Sequence, residues 1–145
     1  MQLGSVFIWK KFPFREEGKE KDRYFVYFGK SHFPENPINI FLITTTSKVN
    51  EYEEGARKNR IYYKFKAGYF VFVEDCILDL DSCYSIKEEN FAKHKDDMEE
   101  KGKLVKPDLI NIYNLLLKSH YYSKKEKQDI HTSVTSHFIR RIESF

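Results

Sequence analysis

Short runs of β-branched and aromatic residues, separated by turn formers, fill the first half of the chain and predict strands at 5–10, 24–28, 38–46, 61–65, 69–73 and 77–80. The stretch FPFREEGKEKD at 12–22 is polar, contains Pro13 and Gly18, and reads as a long hairpin loop. Loops of that length in a small domain commonly carry function. HFPENP at 32–37 reads as a turn from its two prolines and Asn36. In the third run a period of two puts Ile38, Ile40, Leu42 and Thr44 on one face and Asn39, Phe41, Ile43 and Thr45 on the other. Thr44 therefore ends the more apolar face, with its hydroxyl expected at a rim open to solvent or ligand.

The pattern changes to a helical period after residue 84. Ser85-Ile-Lys-Glu88 has the form of a capping box, in which a hydroxyl and a carboxylate each satisfy a free backbone donor, and predicts a helix to about His94. Gly102 interrupts the charged stretch that follows. Pro107 stands where a first-turn proline belongs, ahead of a stripe of Leu109, Ile112, Tyr113 and Leu116. Ser123-Lys-Lys-Glu126 repeats the capping pattern, and Ile130, Val134, Phe138 and Ile142 recur every four residues to the end. The fold expected is α+β, mainly β: a small barrel or strongly bent sheet of about six strands with C-terminal helices. No internal repeat, low-complexity tract or linker divides it, so residues 1–145 are expected to form a single domain, with 120–145 a helical extension.

Composition narrows the class. Hydrophobic residues at 41% and charged residues at 32% exclude wholesale disorder, and no apolar run approaches the ~18 residues of a membrane span. The opening MQLGSVFIWKKF has neither a charged leader nor a small-residue cleavage site, which predicts a cytoplasmic protein away from membranes. Cys76 and Cys83 lack any second pair at ligand spacing and read as plain buried thiols.

The formal charge of +3 is mild, but its distribution is uneven. Arg57, Lys58, Arg60, Lys64 and Lys66 occur without an acid among residues 57–66, and a second basic segment covers 10–30. Glu74, Asp75, Asp79 and Asp81 form the opposite run. Aromatics at 17% either thicken a small core or offer stacking surfaces, most plausibly Tyr63 and its neighbours in RIYYKFK.

The candidate chemistry is selective. The five histidines fall in no metal or nucleophile pattern, His32 beside the basic loop being the one held apart, and no Gly-rich phosphate cradle occurs; neither a metal nor a cofactor is expected. What remains is Arg23 after the basic loop and the hydroxyl cluster Thr44, Thr45, Thr46 and Ser47, followed by Lys48. A guanidinium pairs bidentately with phosphate oxygens and stabilises charge that builds on them, while hydroxyls orient the phosphate. With RNA the nucleophile is available in the substrate itself, as the 2′-hydroxyl. The bland alternative is that threonines follow β-propensity and Arg23 is a solvated charge.

Gly4-Ser-Val-Phe-Ile-Trp, Phe12-Pro-Phe, the charged loop with Gly18, Lys21-Asp-Arg23 and Leu42-Ile-Thr-Thr-Thr-Ser-Lys48 together resemble the MazF/PemK (Kid, CcdB-like) toxin family. The resemblance runs from Gly4 to Lys48 and, more loosely, over the later strands and 102–117. It implies an SH3-like barrel with added helices, usually a homodimer, acting as a metal-independent endoribonuclease on single-stranded RNA and leaving 2′,3′-cyclic phosphates. It also implies an antitoxin protein as partner. On this resemblance Arg23 and Thr44 are the catalytic pair and Ser47 the neighbouring hydroxyl. Lys19 and Lys21 would close over the RNA. Apart from the resemblance, Thr45 and Lys48 beside the hydroxyl cluster and Arg60, Tyr63 and Lys64 of RIYYKFK are read as further RNA contacts. Ser5 replaces the family's aspartate after the first glycine, and Tyr24 replaces the proline after its arginine. The alternatives on the same scaffold are a non-catalytic RNA-binding module and a protein-interaction subunit.

Overall fold

The computed structural model describes residues 1–14, 21–32 and 37–143, with side chains through Ile139. The chain runs β1 (Ser5–Phe12), β2 (Lys21–Lys30), β3 (Asn39–Thr46), α1 (Val49–Glu53), β4 (Tyr62–Phe65), β5 (Cys76–Asp79), β6 (Tyr84–Lys87), α2 (Glu88–Lys93), a 3-10 turn (Lys95–Asp97), β7 (Met98–Lys103), α3 (Lys106–Leu116) and α4 (Lys124–Glu143). The architecture is α+β and mainly β, with seven described strands rather than six.

The strands pair antiparallel in the order β4-β5-β3-β2-β1-β7, and β6 adds to β3 off this path. β3 changes partner along its length: Asn39 to Leu42 pair with β6, and Thr45 and Thr46 with β5. Among the described residues β4 and β7 do not pair, so the sheet stays open instead of closing as a barrel.

Alternation along the central strands buries both faces. Phe7, Trp9, Phe25, Leu42 and Ile86 join an aromatic-rich core with Phe12 and Phe91, where Trp9 meets Phe12 edge-on at 4.9 Å. Val6, Val26, Phe28, Phe41 and Ile43 form the other core, covered by Leu109, Ile112 and Leu116 of α3 and Ile130 and Val134 of α4. Burial of each such side chain contributes about 1.5–3 kcal/mol, so the sheet is held from both sides. The last helix is thus part of the larger core. Its start carries the expected reciprocal cap, Ser123 N–H donating to Glu126 Oε1 at 2.8 Å and Glu126 N–H to Ser123 Oγ at 3.1 Å. Pro107 lies in the first turn of α3 as expected.

Three local expectations need correction. Residues 69–73 form turns, not a strand: Gly68 N–H reaches Phe72 O at 2.8 Å, Phe70 adopts φ 55°, and the Phe70 ring sits where a Cβ on Gly102 would come within 2.8 Å. That run finds its apolar contacts as a loop. Ser85 does not cap a helix but lies in β6 opposite Phe41; α2 starts at Glu88, whose N–H bonds Ile38 O at 2.9 Å. Gly102, read as an interruption, lies inside β7 beside the register shift with β1. The turn residues 33–36, and most of the basic loop, 15–20, lie outside the described residues. No described helix is long and apolar enough to cross a membrane.

Candidate functional site

Register decides which side chains meet. Phe25 on β2 stands opposite Thr44 on β3, and directly opposed residues of an antiparallel pair project to the same face. Arg23, two positions before Phe25, shares that face. Tyr84 on β6 opposes Leu42, two positions before Thr44, and so joins them. Arg23, Thr44 and Tyr84 are all half-buried, at the margin of the aromatic core.

Arg23 Nη1 donates to Tyr84 Oη at 3.4 Å. The Tyr84 ring is held edge-on by Phe12 at 5.0 Å and Phe25 at 5.6 Å, so its hydroxyl is carried on a packed support. Among the described residues no carboxylate pairs with Arg23, whose guanidinium carries five donors. Thr44 Oγ1 lies 3.2 Å from Tyr24 O and 3.4 Å from Thr45 O, and its one proton can go to either carbonyl or turn to a ligand oxygen. A partly desolvated cation beside two oriented hydroxyls suits an anion better than a neutral ligand.

The remaining sequence candidates separate into groups. Lys21 is exposed at the start of β2, opposite Phe12, and Lys19 lies outside the described residues. Thr45 is half-buried and opposes Leu78 of β5, on the face away from Thr44. Ser47 and Lys48 are exposed just past β3, in a hollow shared with Glu51, Glu74 and Asp75. Those acids disfavour a phosphate there.

The RIYYKFK segment does not join the Arg23 site. Arg60 grips the buried Asp79 carboxylate, with Nε at 3.3 Å and Nη2 at 3.1 Å from Oδ1 and Nη2 at 2.9 Å from Oδ2. Tyr52 Oη donates to the same group at 2.7 Å. Tyr63 Oη donates to Asp108 Oδ1 at 2.6 Å, and Tyr69 Oη to Asp108 Oδ2. The Asp108 bond, with burial second, pushes the Tyr69 phenol up to about 12. Lys64 Nζ lies 2.7 Å from Glu53 and 3.9 Å from Asp75. Their polar groups are committed within the fold.

His32 also departs from its sequence placement. It sits past the far end of β2 from Arg23 and docks on α4, its N–H donating to Asp129 Oδ1 at 3.2 Å and its Nε2 lying 3.1 Å from Ser133 Oγ. Tyr84 is the functional candidate that sequence reading missed. Its segment is a four-residue strand hidden behind an apparent helix cap, and nothing local ties position 84 to position 23. Among the described residues no group of three or more His, Cys, Asp or Glu is placed to hold a metal ion. Comparison of the chain with models of known protein families, and with curated proteins, gives no match.

Proposed function

We propose that this chain is a toxin-type, metal-independent endoribonuclease of the MazF/PemK kind, acting on single-stranded RNA in the cytoplasm as a homodimer and restrained by an antitoxin protein. The observation that carries the reading is the shared face of Arg23 and Thr44, half-buried and within one strand pair. The change of partner along β3, from β6 to β5, is compatible with a distorted SH3-like plan.

In this reading Arg23 pairs with the non-bridging oxygens of the scissile phosphate and stabilises the charge that grows there. Thr44 turns its hydroxyl proton from the backbone carbonyls to a phosphate oxygen and holds the phosphate in line, and Tyr84 steadies the guanidinium. The O2′–P bond forms as the 2′ proton passes to solvent water, and the P–O5′ bond breaks as O5′ takes up a proton from water. The products are a 2′,3′-cyclic phosphate and a 5′-hydroxyl. Positioning the internal nucleophile supplies much of the rate.

The test is incubation of purified protein with a long RNA in EDTA. Cutting by the wild type, with loss of about 10²–10³ in rate for Arg23→Ala at unchanged circular dichroism, supports the reading. Intact RNA with both proteins refutes it. Salt-sensitive RNA binding without fragments would instead assign a non-catalytic binding module.

A further inference from the structure

We propose that the cleft formed by α3, the start of α4 and His32 binds a phosphate-bearing nucleotide, at a site separate from Arg23 and Thr44. The cleft is an open groove of about 900 Å³, larger than a bare phosphate fills. It lies beyond the far end of β2 from Arg23, on the sheet face that α4 covers; the strand alone separates them by roughly 20 Å.

Its charge is the first support. Lys124, Lys125 and Lys127 line the cleft against one carboxylate, Asp129. Asp129 is 4% exposed and already accepts from Lys125 Nζ at 2.5 Å and from the His32 N–H at 3.2 Å. That carboxylate offsets one ammonium, so among the described lining residues two positive charges remain without an acid. Lys127 Nζ spends one of its three donors on Leu117 O at 2.9 Å, which pins it over the end of α3 with two donors left. Lys124 has no partner among the described residues. The free N–H groups at the head of α4 are not the site, because Glu126 already occupies the cap.

The second support is an aromatic wall. Tyr113 Oη lies 2.6 Å from His131 Nδ1, and the two rings sit 6.1 Å apart at 35°. Each fixes the other against the cleft. A ring wall beside clustered ammonium groups fits a base and a phosphate held together. The same chemistry is offered by a free mononucleotide or by the 5′-phosphorylated end of an RNA strand.

The experiment titrates the full chain with AMP, adenosine and inorganic phosphate by calorimetry, then repeats AMP with Lys124→Glu and with Arg23→Ala. Expected is saturable AMP binding, weakened roughly tenfold or more by Lys124→Glu through loss of a charge-assisted contact and gain of repulsion, with adenosine much weaker. Arg23→Ala should bind AMP as the wild type does, whatever becomes of RNA cleavage. Competition by a 5′-phosphorylated oligonucleotide, and not by its 5′-hydroxyl twin, assigns the site to strand ends; no competition assigns it to the free nucleotide. Absence of AMP binding at millimolar concentration, equal affinity in Lys124→Glu, or equal binding of adenosine overturns the proposal. Lys124 is exposed and makes no contact that folding needs, so the variant remains interpretable.

Discussion

Replacing Arg60 by alanine removes the main cation from a buried carboxylate and tests whether this arginine serves the fold or an RNA surface. Its side chain is 35% exposed and that of Asp79 only 6%, with the guanidinium touching both carboxylate oxygens. After truncation Asp79 keeps only Tyr52 Oη at 2.7 Å and the Asp81 N–H at 2.9 Å. Stripping a fully buried ion of its partner costs about 3–5 kcal/mol, whereas an exposed pair contributes about 0–1 kcal/mol. With one end wet and the other dry, a loss of about 2–3 kcal/mol is expected. For a chain of this length that lowers Tm by roughly 8–10 °C. Arg60→Lys, which keeps the charge but not the forked geometry, should lose about half as much. Urea unfolding followed through Trp9, the single tryptophan and fully buried, reads the change directly. An unchanged urea midpoint for Arg60→Ala together with loss of RNA affinity would refute the structural assignment and return Arg60 to a nucleic-acid surface.

Three further outcomes follow from the geometry. Tyr84→Phe should leave the urea midpoint within about 1 kcal/mol, since the 3.4 Å bond to Arg23 is long, while lowering kcat about tenfold at similar KM; an unchanged kcat removes Tyr84 from the site. Gly4→Ala should destabilise by about 2–4 kcal/mol, because Gly4 has φ +83° and the new Cβ would lie 2.9 Å from Leu109 Cδ2 in the core; a calorimetric Tm equal to wild type would contradict this. Cys76 is buried as expected, whereas Cys83 is only half-buried; desolvation pushes the Cys76 thiol to about 11 and the Cys83 thiol to about 12, so both stay protonated at pH 8. Iodoacetamide should label them slowly in the native protein and fast in urea, and rapid native labelling of either would be inconsistent with that enclosure.

The parts of the fold legible in the sequence are those where local pattern and tertiary burial agree. β1, β2 and β3 carry long apolar runs, and the two faces of β3 read from alternation are the two cores, Ile40 and Leu42 against Phe41 and Ile43. α3 and α4 announce themselves by Pro107, by the Ser123–Glu126 cap and by stripes at helical spacing. β7 did not, because MEEKGK is an edge strand whose residues are exposed or half-buried and show no apolar alternation. Residues 69–73 carry strand-like composition, but Asp108, thirty-nine positions away, holds Tyr69 in a loop instead. Strand phase in the sequence set only the face of Thr44; that Arg23 shares it follows from the β2–β3 register. The fate of Arg60, Tyr63 and Lys64 was not legible, since acids outside their own basic segment take them up: Asp79 and Glu53 pair with Arg60 and Lys64, and Asp108 accepts from the Tyr63 hydroxyl. A basic run in sequence says nothing about the carboxylates that topology brings to it.

Whether Arg23 and Thr44 act on one phosphate is measured most directly by a double-mutant cycle on the cleavage rate, using Arg23→Ala, Thr44→Val and the combined variant on one RNA in EDTA, with folding checked by circular dichroism. Groups that hold the same reacting phosphate are strongly non-additive. The expected result is a double variant scarcely slower than Arg23→Ala alone. Fully multiplicative losses, or a wild-type protein that leaves the RNA uncut, would contradict a shared site.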